Sequence, residues 1–244
     1  DLAKIESGTV ELQVGEVPPA ELRTSIEQQF QHVAETKRLE FSVAVAPDLP
    51  ATIHTDVRRL QQVLKNLLSN AIKFTERGSV TVDIRKATRK WSGLMPSLQE
   101  AEAVIAIAVK DTGIGIAKDK QAIVFESFQQ ADAGTSRRFG GTGLGLSISR
   151  EIALMLGGTL ELESVPGEGS TFTLYLPSTI DEASARNAAA LGRLMAPVKV
   201  VEQKSTNVAS PVAAGVAEVS PELEDGGVAG DRGNIQPAGK GLLI

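Results

Sequence analysis

The stretch Leu60-Gln-Gln-Val-Leu-Lys-Asn-Leu-Leu-Ser-Asn-Ala-Ile-Lys-Phe-Thr75 carries its apolar side chains at Leu60, Val63, Leu64, Leu67, Leu68, Ala71 and Ile72. Steps of three and four set these on one stripe of an amphipathic helix. At about 100° per residue, Asn66, Asn70 and Lys73 lie within about 60° of one another on roughly the opposite side. A solvated face ordinarily mixes Lys with Glu, yet no acid occurs between Asp56 and Glu76. Asparagine is a mediocre helix former, so a pair at i and i+4 needs a reason. A carboxamide oxygen is a hard, neutral ligand suited to Mg²⁺, and an ammonium one turn away suits a phosphate. Two exposed asparagines on an ordinary helix is the alternative this stretch leaves open by itself.

Outward from this helix, helical and strand patterns alternate. Asp56 caps its start, and it runs to about Phe74. Upstream, Val10–Val14 reads as a short strand. Pro19 opens a helical run with Leu22, Ile26, Phe30 and Val33 at helical spacing, and Glu40–Ala46 alternates as Phe41, Val43 and Val45 in the manner of a strand. Downstream, Ser79–Arg85 and Val104–Lys110 read as paired strands around a long polar loop containing Trp91. Gly145–Leu156 is helical and stops at Gly157-Gly158, and Thr159–Ser164 with Thr171–Leu176 forms a hairpin across Pro166-Gly167-Glu168-Gly169. This order predicts a mixed sheet with helices on one face, a two-layer α/β sandwich.

Two glycine clusters flank the last strands and helices. Asp111-Thr-Gly-Ile-Gly-Ile116 follows a strand ending at Lys110. An Asp beside Gly113 and Gly115 lets the backbone turn tightly and a ligand approach, and the carboxylate can accept from an exocyclic amine. A plain Asp-x-Gly turn is the alternative. In Phe139-Gly-Gly-Thr-Gly-Leu-Gly-Leu-Ser-Ile148, Gly141, Gly143 and Gly145 alternate and lead directly into an apolar helix. Free N–H groups at such a start attract phosphate oxygens, and glycine removes the side chains that would block them. It is neither a dinucleotide G-x-G-x-x-G, since position 146 is Leu, nor a Walker loop. A flexible loop feeding a helix is the alternative. Between the clusters, Gln129–Arg138 has few apolar residues and is a candidate lid, with Phe125 and Phe128 anchoring one end or docking on a partner. Arg137 and Arg138 read as solvated or phosphate-facing.

Composition narrows the classes further. The chain has 244 residues, 25 basic and 30 acidic for a formal charge of −5, and no cysteine. Missing thiols exclude a disulfide scaffold, Cys-based zinc sites and a cysteine nucleophile, and fit a cytoplasmic setting. No apolar run approaches the roughly 18 residues needed to span a bilayer, so no direct membrane contact is expected. The mild acidic balance argues against nucleic acid as partner. All nine aromatic residues precede residue 179, and 32 of the remaining 66 residues are Ala, Gly, Val or Pro. With so little bulky surface to bury, 179–239 is expected to be a disordered linker. Gly241-Leu-Leu-Ile244 reads as a buried strand cut off as it begins, and Asp1-Leu-Ala-Lys-Ile-Glu as the tail of a helix.

The asparagine helix, Asp111-Thr-Gly-Ile-Gly115, Phe125-Glu-Ser-Phe128 and Gly141-Thr-Gly-Leu-Gly-Leu146 stand in fixed order. Together they closely resemble the N, G1, F and G2 boxes of sensor histidine kinases, whose catalytic domain belongs to the GHKL superfamily of ATP-binding proteins. The resemblance covers about residues 20–177. It implies a Bergerat-type fold over 16–178 and, in 1–15, the end of a dimerisation helix hairpin with its connector. It also implies a receiver domain starting at 240–244, hence a hybrid kinase. By the same resemblance, Asn70 binds the Mg²⁺ that bridges the ATP phosphates, with Asn66 close by. Lys73 contacts phosphate and Phe74 packs near the nucleotide. Asp111 recognises the adenine amino group, with Gly113 and Gly115 shaping that wall. Gly141, Thr142, Gly143, Leu144 and Gly145 cradle phosphates beneath the lid, and Thr171, behind Asp111, helps hold adenine through water. The activity implied is phosphoryl transfer from ATP to a histidine. The implied partners are a histidine-bearing dimerisation domain and the receiver domain of a response regulator.

One departure matters. The family's acceptor motif reads roughly His-Glu-Leu-Arg-Thr-Pro, whereas here Glu21-Leu-Arg-Thr24 is preceded by Ala20 and followed by Ser25. It falls where the family places the first helix of the ATP domain and is taken as coincidence. His32, on a helix surface, and His54, in the approach to the asparagine helix, both lack the motif. The substrate histidine is therefore expected upstream of residue 1. Two other readings stay open. One is a nucleotide-binding module without transfer activity. The other is a hydrolysing GHKL ATPase, although those carry an acid in the asparagine helix and this chain has none from Val57 to Thr75.

Overall fold

Alternation and helical period order the chain as expected in the computed structural model, which describes residues 12–89, 91, 95–126 and 144–180. The strands are β1 (Val14–Val17), β2 (Glu40–Val45), β3 (Ile53–Asp56), β4 (Ser79–Lys86), β5 (Val104–Asp111), β6 (Thr159–Val165) and β7 (Gly169–Pro177). The α-helices are α1 (Pro19–Thr36), α2 (Val57–Phe74), α3 (Pro96–Gln99) and α4 (Gly145–Met155), with a 3₁₀ turn at Ile123–Phe125.

A five-stranded sheet runs β2-β4-β5-β7-β6. β2 lies parallel to β4 and every other neighbour is antiparallel, so the sheet is mixed. The parallel pair requires a crossover, which the chain makes through β3 and α2. Val80, Val82 and Ile84 of β4, Ile105, Ile107 and Val109 of β5, and Phe172, Leu174 and Leu176 of β7 alternate onto one face. There they meet Leu22, Ile26 and Phe30 of α1, the apolar stripe of α2, and Ile152 and Ala153 of α4 in one core. All seven stripe residues of α2 are buried, each worth about 1.5–3 kcal/mol for the larger side chains. This is the expected two-layer α/β sandwich.

Local chemistry sets the element ends. Asp56 Oδ1 accepts the Arg59 backbone N–H at 3.0 Å, capping α2, while its Oδ2 accepts the Gln13 N–H at 3.0 Å. Lys37 Nζ donates to the Ile72 carbonyl at 2.8 Å at the other end of α2, where a cation complements the helix dipole. α4 stops as expected. Gly157 has φ +73°, its N–H donates to Leu154 O at 3.0 Å, and the Gly158 N–H reaches Ala153 O at 2.8 Å, the two bonds of a Schellman motif.

Four details differ from the sequence reading. The first strand is Val14–Val17 and not Val10–Val14, because it pairs antiparallel with β3, Val14 opposite Asp56 and Val17 opposite Ile53; Val10 and Glu11 lie outside the described residues. β3 itself was not foreseen, since a four-residue strand reading Ile-His-Thr-Asp carries no clear alternation. It also meets the chain's exit from β7: His54 N–H donates to Ser178 O at 2.9 Å and Ile180 N–H to His54 O at 3.0 Å. In α1, Ala34 takes the buried position and Val33 is exposed, the i+4 step having won over i+3. The loop between β4 and β5 contains α3, whose Leu98 is buried.

Candidate functional site

β5 ends on Asp111, and its parity decides which way that carboxylate faces. Ile105, Ile107 and Val109 point to the helix layer, so Asp111 does too, and it is 6% exposed. Asp111 Oδ1 accepts the Gly113 N–H at 2.8 Å, and the Ser170 N–H also bonds to the carboxylate. Burial pushes the Asp111 carboxyl above its ordinary value, and these two N–H donors pull it partly back. A carboxylate of this kind, buried at the end of a strand, has the chemistry to accept a further donor.

The loop after Asp111 is braced from both sides. Gly113 packs against the carbonyl of Phe74, the last residue of α2, so a β-carbon there would strike both that oxygen and Asp111 Oδ1. Gly115 has φ +66°, and a β-carbon on it would collide with the Val165 carbonyl. The β6–β7 hairpin holds the loop: Gly167 N–H donates to Ile114 O and Ile116 N–H to Ser164 Oγ, each at 2.8 Å. Ser164 Oγ lies 3.0 Å from Ser170 Oγ, extending the polar network to the strand beside Asp111. Because both Gly113 clashes involve groups held by secondary structure, Gly113→Ala is expected to cost about 1–3 kcal/mol in urea unfolding; a midpoint unchanged from the parent would contradict the close approach.

α2 supplies the facing wall. Asn66, Asn70, Lys73 and Phe74 are all half-buried, and Lys73 Nζ stands 4.9 Å from the Phe74 ring centroid. The asparagine face does not look into open solvent. Asn66 Nδ2 donates to Ser149 Oγ of α4 at 2.9 Å, and its carboxamide abuts Gly145, the first residue of α4. Phe125 anchors the segment that leads away from the loop. It packs edge-on against Phe172 with centroids 6.2 Å apart, and Arg150 sits 5.8 Å over its ring.

The structure therefore brings together Asn66, Leu144 and Gly145 at the α2–α4 junction. It separately brings together Phe74, Asp111, Gly113 and Gly115 at the end of β5, and α2 carries both groups, with Asn70 and Lys73 between them. Gly141, Thr142, Gly143, Phe128 and the candidate lid lie outside the described residues. Thr171 does not reach Asp111: it pairs with Lys110, and strand alternation turns it to the other face. Ser170 pairs with Asp111 and is 7% exposed on the same face. Counting back by twos from Phe172, Leu174 and Leu176 gives the face on which Ser170 lies, but its place opposite Asp111 is set by the β5–β7 register. Ser149 was missed, because nothing in its own helix marks it. His32 is exposed on α1 and His54 is half-buried in β3.

A metal ion was expected beside Asn70. Among the described residues no group of three or more His, Cys, Asp or Glu gathers, so no all-protein cage is present. A neutral carboxamide oxygen such as that of half-buried Asn70 fits Mg²⁺, a hard ion that keeps several waters and takes only one or two protein ligands. No helix among the described residues is long and apolar enough to cross a membrane.

Comparison with known proteins bears on this geometry. Residues 55–180 match the family described as histidine kinase-, DNA gyrase B-, and HSP90-like ATPase. Signal transduction histidine-protein kinase BarA of Escherichia coli K12 is 36% identical over 179 residues, covering 72% of this chain and 18% of that protein. Hybrid signal transduction histidine kinase A of Dictyostelium discoideum is 42% identical over 154 residues, 62% of this chain and 7% of that one. The chain thus spans less than a fifth of the length of these relatives. Full-length ShkA, solved in complex with AMPPNP, superposes with a TM-score of 0.58 at 30% identity, covering 72% of this chain and 33% of that one. The catalytic domain of histidine kinase ThkA shares the fold, with a TM-score of 0.52 at 22% identity over 70% of this chain and all of that one.

Proposed function

The chain belongs to the histidine kinase-, DNA gyrase B-, and HSP90-like ATPase family, and from that premise we propose that it is the ATP-binding catalytic module of a hybrid sensor histidine kinase, transferring the γ-phosphoryl group to a histidine upstream of residue 1. Residues 16–178 are the catalytic domain in this reading. Residues 1–15 are the end of the dimerisation hairpin, 179–239 a linker, and 240–244 the start of a receiver domain. The partners are the histidine-bearing dimerisation domain and a response-regulator receiver domain, and the setting is cytoplasmic.

The observation that carries the reading is Asp111. Its buried carboxylate, held by two backbone N–H groups on the helix-covered face, accepts from the exocyclic amine of adenine, with Ser170 beside it and Gly113 and Gly115 forming the wall. Phe74 packs near the base. Lys73 and the N–H groups at the start of α4 receive phosphate oxygens, following the preference of anions for helix N-termini. Asn70 would hold Mg²⁺ through its carboxamide oxygen, with Asn66 alongside, and the ion would supply charge neutralisation to the phosphates. Phosphoryl transfer asks little covalent chemistry of a protein, so these residues act by positioning and by meeting charge. From Val57 to Thr75 no carboxylate stands on α2 to draw a proton from water, which favours transfer to another side chain over hydrolysis.

Incubated with ATP labelled at the γ-phosphate, the chain is expected to bind nucleotide but take up no label. Adding the helical segment that precedes residue 1 in the parent protein should produce acid-labile, alkali-stable label on that segment. Label of that kind on the chain alone would place the acceptor within it and refute the assignment.

A further inference from the structure

We propose that Asn66 and Ser149 form a clasp between α2 and α4 that sets where the glycine-led start of α4 stands relative to Asn70, which makes Ser149 a positioning residue for the phosphate end of the site. The proposal rests on the nucleotide reading above and adds a residue to it.

Ser149 is 2% exposed and is the acceptor for Asn66 Nδ2 at 2.9 Å, across 83 positions of sequence. The other end of the same carboxamide lies against Gly145, where a β-carbon would collide with Asn66 Oδ1. Both ends of one planar group therefore engage α4, at residues four apart and so one above the other on a single helix face. Gly145 and Ser149 are small, which lets α4 lie close against the asparagine face. Farther along α4, Ile152 and Ala153 are fully buried in the shared core. Apolar packing fixes how the far end of α4 sits, but it is non-directional and carries no information about rotation or sliding near Gly145. A hydrogen bond between a half-buried amide and a buried hydroxyl is directional, and breaking it leaves an amide without a partner in a poorly solvated gap. Asn66 is accordingly the joint between the two helices, while Asn70, one turn on, is the residue presented to the ligand. A clasp of this kind confines two packed helices to one register for the anion-binding N–H groups, and positional errors of about 1 Å at a phosphate matter strongly.

The test is a cycle in the full 244-residue chain: Asn66→Ala, Ser149→Ala, the double variant, and the isosteric pair Ser149→Thr and Ser149→Val, each titrated calorimetrically with Mg·ATP and with adenosine. Each alanine variant is expected to weaken Mg·ATP by about 10-fold, and the double variant no more than the weaker-binding single one, because both remove the same bond. Adenosine affinity should change less than about twofold, since the base end of the site is untouched. Ser149→Thr should bind Mg·ATP several-fold more tightly than Ser149→Val, two side chains of one shape that differ in the hydroxyl; this comparison decides the matter if the alanine variants fail to fold. Effects that multiply in the double variant, adenosine affinity falling in parallel with Mg·ATP, or equal affinities for the Thr and Val variants would each overturn the clasp. Failure of the unaltered chain to bind Mg·ATP overturns the nucleotide reading itself.

Discussion

Replacing Asp111 by Asn is expected to abolish measurable ATP binding while leaving the protein at least as stable at neutral pH. The first half follows from acceptor chemistry. The carboxylate is buried and already engaged by the Gly113 and Ser170 N–H groups, so in the proposed function its remaining lone pairs are what a ligand amine would meet. Asparagine presents an NH₂ where an acceptor is needed. A mismatched donor in a dry pocket loses the bond and strands two donors face to face, a penalty of about 100-fold or more. Adenosine, which tests the base end alone, should be lost together with ATP.

The second half follows from linkage. Burial raises the Asp111 pKa in the native state, so between its ordinary value and that raised value the native protein binds more protons than the unfolded chain. Stability contributed by this group is therefore full below the unfolded value and declines as pH rises through the native one. At neutral pH the ionised carboxylate is a burden on folding, which Asp111→Asn removes. Thermal unfolding of parent and variant at pH 7.5 and at pH 4 checks this: the variant should unfold no lower than the parent at pH 7.5, and its advantage should shrink towards pH 4. ATP affinity of the parent should fall over the same acidic window, because the protonated acid no longer offers both oxygens as acceptors. A variant that melts well below the parent at neutral pH, or that retains ATP, would show Asp111 to be a structural anchor instead.

The second large effect is expected at Asn70. Asn70→Ala should weaken Mg·ATP by about 10-fold and slow phosphoryl transfer to an added histidine segment by about 100-fold, the range found when one positioned group meeting phosphate charge is removed. Adenosine should bind as before, since Asp111 and its wall are intact. Helix propensity would rise slightly with alanine, so stability cannot account for a loss. Equal affinity of variant and parent for Mg·ATP would detach the asparagine face from the phosphates. The contrast with Asn66→Ala is informative: both weaken Mg·ATP, but only the effect of Asn66 is expected to vanish in the absence of the Ser149 hydroxyl.

How far these residues were legible in advance depended on how each is fixed. The stripe of α2, the Asp56 cap, the stop at Gly157-Gly158 and the paired strands were read correctly, because period, capping chemistry and glycine conformations are written within a few residues of where they act. Asp111, Gly113 and Gly115 stand in a single short cluster, and the structure braces that loop against Phe74 and Val165. The neighbour of Asp111 was misassigned to Thr171, since naming it needs the register between β5 and β7, and a shift of one residue exchanges the two faces of a strand. β3 was missed for a related reason: Ile53–Asp56 is held by pairing with β1 and by the return of Ser178–Ile180, contacts more than 100 positions away in the latter case.

The sequence alone determined the fold class, the order of the boxes and the chemistry offered at each, because hydrophobic period and side-chain functional groups are local properties. Tertiary structure alone decided that Ser170 and not Thr171 stands beside Asp111, and that Asn66 is joined to Ser149. Both are questions of which side chains share a face or a gap, and only the packing of one element on another sets that geometry.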